Sequence, residues 1–156
     1  MSVQPQTDPA IQARQRRLRI LARAGRETLE AALAALPAQP EWRRLKQPET
    51  GLTMLRARAG GVGQRFNLGE MTVSRCVVAL GDAGTMGVGY VQGRDRRRAE
   101  LVAVFDALSQ DMAGAEQIER LLIAPVEQKL ADERRARDAK VVATRVDFFT
   151  LVRGED

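Results

Sequence analysis

The chain has 156 residues, is 44% hydrophobic and carries a formal net charge of +5, which suits one core and would crowd two. It has no histidine and a single cysteine, Cys76, so it cannot assemble a Ser–His–Asp or Cys–His catalytic set, a typical zinc site, a cysteine-ligated iron–sulfur cluster or an internal disulfide. Residues 1–17 lack the apolar stretch of a secretory signal and no apolar run reaches a membrane span, so the expectation is a cytoplasmic protein, off the membrane, with no metal and no cofactor of its own.

The positive charge is uneven. Residues 1–46 hold nine Lys/Arg against four Asp/Glu, residues 47–93 four against three, and residues 94–156 twelve against thirteen. Asp8-Pro9 is a helix start, an N-cap followed by proline at the first helical position. Ile11, Leu18, Leu21 and Ala22 then share one face, and Arg14, Arg16, Arg17, Arg19 and Arg23 fill much of the rest. Gly25 interrupts, residues 27–36 resume the helical period, and Pro37 and Pro40 stop it. The basic face reads as a solvated helix surface rather than a nucleic-acid site, because stacking aromatics are absent from it.

From Glu41 the period changes. Trp42 and Leu45 are expected in the core, and residues 52–59 form a strand ending at Gly60-Gly61-Val62-Gly63. Residues 65–68 make a short strand, Gly69-Glu70 a turn, residues 71–80 a longer strand, and residues 85–92 a fourth after the turn at 81–84. Loops this short make the neighbours antiparallel. Asp95 caps a helix whose Leu101, Phe105, Leu108 and Met112 form a core stripe, and Gly114 closes it. Another helix begins near Glu116, is broken or kinked at Pro125 and continues as a charged segment to Lys140. The fold class is α+β: N-terminal helices (1–40), an antiparallel meander of about four strands (41–93), helices (94–145) and an aromatic tail (146–156), all one domain.

The stretch G-V-G-Y-V-Q-G-R-D-R-R-R at 87–98 invites a nucleotide-binding reading, which its spacing does not support. Its glycines are G-x-G-x-x-x-G, they lie between antiparallel strands rather than in a βαβ unit, and no P-loop motif exists elsewhere. Strand alternation puts Gly87, Gly89, Val91 and Gly93 on one face and Met86, Val88, Tyr90 and Gln92 on the other. A glycine face admits close approach, by the chain's own helix in the simplest case or by a ligand or partner. Arg96, Arg97 and Arg98 crowd a helix start that is already positive, an arrangement that welcomes an anion. Arg58, Arg65, Gln92, Gly93, Arg94 and Asp95, with Arg56, become one anion or partner contact if the two glycine loops meet. Phe148 and Phe149 lie near the end of the sequence, either packed on this chain's core or anchoring it to a partner.

Several blocks in order carry a family resemblance. They are E-T-G-L at 49–52, R-A-R-A-G-G-V-G-Q-R-F-N-L-G-E at 56–70, G-V-G-Y-V-Q-G-R-D at 87–95, L-I-A-P at 122–125 and R-V-D-F-F-T-L-V-R-G at 145–154. In these the chain resembles the PhnG family of bacterial carbon–phosphorus lyase systems. The resemblance implies an accessory subunit acting with PhnH-, PhnI- and PhnL-like proteins, which together displace adenine from MgATP with an alkylphosphonate, while a PhnJ-like iron–sulfur subunit cleaves the C–P bond. It implies a two-fold complex and assigns no catalytic residue to this subunit, so none is carried over. A surface built to be covered is also compatible with self-association of the isolated chain. Two other readings stay open from the residues: a stand-alone nucleotide or phosphonate enzyme using Glu49, Glu70 or Asp95 as base, and a basic nucleic-acid-binding module.

Overall fold

A computed structural model of the chain describes residues 8–60, 62–82 and 84–144. The order is α1 (Pro9–Leu21), α2 (Arg26–Ala34), β1 (Trp42–Arg58), β2 (Arg65–Leu80), β3 (Thr85–Gln92), α3 (Arg96–Leu108), α4 (Met112–Ile118), a π-helical turn (Glu119–Ile123) and α5 (Ala124–Ala143). The strands form one antiparallel meander, β1-β2-β3, so the expected α+β class holds with three strands in place of four.

The missing boundary is at Gly69-Glu70. These residues do not turn; they continue β2, with Gly69 opposite Leu55 and Asn67 opposite Arg56, so that Leu68 is the extra residue of a β-bulge. Strand β1 likewise begins ten residues before its expected start, at Trp42. Its first half is charged and contains Pro48, tolerable because β1 is an edge strand and Pro48 falls where the register shifts between Lys46 and Glu49. Leu45 is accordingly exposed rather than in the core, whereas Trp42 packs against the core as expected.

The glycine face of β3 meets α3. A Cβ at Gly87 would lie 1.9 Å from the Ala103 carbonyl oxygen, and one at Gly89 would lie 1.8 Å from that of Ala99. Helix α3 therefore rests backbone-to-backbone on the sheet, and the close approach belongs to the chain's own helix. Its other side is covered by α1, α2 and α4, so α3 forms a middle layer in which every residue from Ala99 to Ala107 is buried. Leu101 and Phe105 are fully buried and Leu108 partly so, but Met112 is exposed. The helix ends at Leu108, and Asp111 caps a new one by accepting from the Gly114 amide at 2.7 Å. Gly114 is thus inside the first turn of α4 and terminates nothing. Pro125, which lacks the amide a regular helix would use, sits at the start of α5 directly after the π-helical turn, whose Leu122 and Ile123 both point into the core.

Burying α3 from Ala99 to Ala107 buries two carboxylates, and each is satisfied. Asp106 receives both Arg14 Nε (3.0 Å) and Nη2 (2.7 Å) and the Val88 amide (2.9 Å). Glu100 receives Trp42 Nε1 (3.0 Å), Arg44 Nε (2.6 Å) and Arg97 Nη1 (3.1 Å). Arg16 bridges Glu119 and Glu127. The basic face of α1 is therefore not simply solvated: two of its arginines pair with acids ninety or more residues away. Gln110, just past the end of α3, also donates to the Met86 carbonyl, so with Asp106 on the Val88 amide the side chains of α3 and the turn after it block part of the free edge of β3.

Candidate partner interface

Each half of the expected basic cluster has its own setting. Gln92 closes β3 opposite Val73. Gly93 follows with φ +95°, a conformation that favours glycine, its amide donating to Thr72 O (2.9 Å) and its carbonyl accepting from Ser74 Oγ (2.9 Å). Asp95 is the N-cap of α3, accepting from the Arg98 amide at 2.9 Å. Two of the three arginines at the helix start turn inward: Arg97 to Glu100, and Arg98 to the carbonyls of Ala22 (3.0 Å) and Gln92 (3.4 Å). Arg96 reaches Thr50 Oγ1 at 3.4 Å, and Arg94 is exposed with no ion pair among the described residues. The helix start is thus satisfied mostly by its own chain, and its glycine by backbone geometry.

The other half sits at the tip of the β1–β2 hairpin. Arg58 lies directly opposite Arg65, Arg56 opposite Asn67, and these arginines line a shallow depression with Val62, Gly63 and Gln64. Like charges facing each other across a ladder repel, and none of the three has an ion pair among the described residues. From Arg65 to Val73, the partner of Gln92, β2 runs eight residues, about 26 Å at strand rise. Arg58 and Arg65 therefore do not join Gln92, Gly93, Arg94 and Asp95 in one pocket. Phe148 and Phe149 lie outside the described residues.

The structure adds a surface that the cluster reading overlooked. Strand β3 pairs only with residues 73–80 of β2, so the hairpin from Leu52 to Thr72 extends past it as a two-stranded arm. On this arm Leu52, Met54, Phe66 and Leu68 are exposed by 64, 51, 45 and 62%. Beyond the base of the arm, on the β3 face away from the helices, Met86, Val88 and Tyr90 are also uncovered. Alternation in the sequence places that last trio on a second face; what it lacks is any sign that no element folds over them.

Candidate chemistry is sparse. Among the described residues no three His, Cys, Asp or Glu side chains are grouped to hold a metal ion, and no helix is long and apolar enough to cross a membrane. Glu49, one of the three possible bases, is held below the usual carboxylate range by hydrogen bonds from Lys46 and Arg75. Asp95 is engaged as a cap. Burial pushes the Cys76 thiol up to about 11, and its Sγ donates to the Lys46 carbonyl at 3.4 Å, so it is a packing residue rather than a nucleophile.

Comparison with known proteins decides the family. Residues 12–154 match the model of the family described as phosphonate metabolism protein PhnG. The chain belongs to the PhnG family. It is also similar, at 45% identity over 149 residues, to the alpha-D-ribose 1-methylphosphonate 5-triphosphate synthase subunit PhnG of Rhizobium meliloti (strain 1021), with 96% of this chain and 94% of that protein covered. The span matched to the PhnG family takes in α3, the glycine face it rests on, and the whole exposed arm.

Proposed function

We propose that this PhnG-family chain is an accessory subunit of an alpha-D-ribose 1-methylphosphonate 5-triphosphate synthase, serving phosphonate use in the cytoplasm beside PhnH-, PhnI-, PhnJ- and PhnL-like subunits. The synthase displaces adenine from MgATP with methylphosphonate, and this chain contributes surface and positioning, not the reacting groups. The observation that carries the reading is the arm: a two-stranded ribbon is marginal in water, and this one leaves aliphatic and aromatic side chains uncovered. Membership of the PhnG family and the subunit name of the similar protein support it. In this reading Arg58, Arg65 and Arg94 contact a partner, Gln92, Gly93 and Asp95 hold the turn that presents Arg94, and Phe148 and Phe149 form a second anchor. The whole of 1–156 acts as one domain.

The test is reconstitution. The other subunits are co-expressed with and without this chain, and adenine release from MgATP plus methylphosphonate is followed. Phosphonate-dependent release only when this chain is present supports the reading. Equal release in its absence, or release by this chain alone, overturns it.

A further inference from the structure

The arm has two unlike faces. Thr50 is on the helix side of the sheet, since Arg96 at the start of α3 donates to its hydroxyl. Alternation along β1 then puts Leu52, Met54, Arg56 and Arg58 on that same side, and the register adds Arg65, opposite Arg58, and Glu70, opposite Met54. The helix layer stops at Asp95 and the arm continues, so this side is an open ledge. Its inner end is bordered by Arg94 and Arg96, its floor is Leu52 and Met54, and its outer end is Arg56, Arg58 and Arg65. Four guanidinium groups thus share this side with one carboxylate, Glu70, exposed Arg94 stands beside them in sequence, and none of these six has an ion pair among the described residues. The positive end of α3, a helix of 13 residues, points the same way.

We propose that this ledge is the docking surface for an acidic, amphipathic segment of another synthase subunit, carboxylates at both ends and apolar side chains between them. The inference rests on the subunit reading above and names the partner chemistry for it. Two features favour a protein segment over a small polyanion. The arginines divide into two groups about 20 Å or more apart along the strands, farther than one triphosphate reaches. Between them lie aliphatic side chains, 64 and 51% exposed at Leu52 and Met54, which a phosphate would leave wet and a peptide covers. Docking there also removes the Arg58–Arg65 repulsion, because carboxylates placed between guanidinium groups turn it into bidentate pairing.

The experiment uses the co-expressed complex with this chain tagged, and compares wild type with Arg56→Glu/Arg58→Glu/Arg65→Glu, with Leu52→Asp, and with a distant control, Arg134→Glu/Arg137→Glu on exposed α5. Thermal melts of each full chain check folding. The expected result is at least a 100-fold weaker Kd for the triple variant and 10-fold or more for Leu52→Asp, with the control unchanged and wild-type affinity falling as salt rises. Wild-type assembly by both arm variants overturns the ledge and leaves the subunit reading intact. Failure of the wild type to assemble overturns both. If the triple variant alone loses affinity and inorganic triphosphate competes with the partner, the ledge is a small-anion site and the proposal is wrong; competition by single-stranded nucleic acid refutes it equally.

Discussion

Placing a methyl group on the glycine face of β3 tests whether α3 owns it. In Gly89→Ala the new Cβ would sit 1.8 Å from the Ala99 carbonyl oxygen and 2.9 Å from the Ala103 amide nitrogen. An ordinary carbon–oxygen contact needs roughly 3.3 Å, so sheet and helix must separate by about 1.5 Å. Both contacts are backbone atoms of a helix buried from Ala99 to Ala107, and no rotamer change relieves them. Overpacking of this kind costs about 1–3 kcal/mol, and the rigidity of two backbones puts Gly89→Ala at the upper end. Gly51→Ala is the control, since nothing lies within 4 Å of its Cβ; removing backbone freedom there should cost less than about 0.5 kcal/mol or stabilise slightly. Urea unfolding of both variants at pH 7.5 gives the comparison. Gly89→Ala within about 0.5 kcal/mol of wild type would show that the face is loosely covered, and the close-packed account of α3 would fail.

Other expectations follow from single contacts. Arg14→Ala should destabilise by about 3 kcal/mol in urea, because it leaves the buried Asp106 carboxylate without its cation; a loss below about 0.5 kcal/mol would restore the solvated-face reading of α1. Gly93→Ala should cost about 1–2 kcal/mol through its φ of +95°, with open space around the new Cβ, and a neutral result would mean that the turn rearranges freely. Burial raises the pKa of Glu100, but hydrogen bonds from Arg44, Trp42 and Arg97 outweigh it and leave the group below its usual value. The unfolded chain then binds the proton more readily, so this stability is complete above the ordinary carboxylate pKa, near about 4.3, and fades as pH falls through the folded value. Urea midpoints that hold constant from pH 6 to pH 3 would contradict it. Cys76, with its thiol pushed up to about 11, should resist iodoacetamide at pH 7.5 until urea unfolds the chain.

Local chemistry was readable in advance where one short signal suffices. Asp8-Pro9 and Asp95 start helices because a carboxylate reaches orphan amides two or three residues on. The glycine face of β3 follows from alternation alone. Gly69 misled because glycine marks turns and bulges alike, and only pairing with Leu55 distinguishes them. The charged run after Trp42 concealed a strand because an edge strand carries charges that a central one would reject. Arg14 with Asp106, and Arg16 with Glu119 and Glu127, are pairs that no local pattern announces; the first exists because α3 is buried from both sides, the second because α1 packs beside the π-helical turn and α5. The candidate cluster was half legible in the same sense. Its residues are at loops and strand ends as expected, but whether two loops meet depends on strand length, and β2 is long enough to hold them apart.

The central claim is that this chain is built to be covered by another subunit, and hydrogen exchange tests it most directly. Amides of residues 51–58, 65–72 and 86–90 would be followed in the free chain and in the co-expressed complex. In the free chain the arm should exchange fast, since two strands without a covering layer open readily. The account predicts strong slowing of these three segments in the complex and little change on the exposed 131–142 half of α5. An arm that exchanges equally fast in both states, within a complex that demonstrably contains this chain, would contradict it.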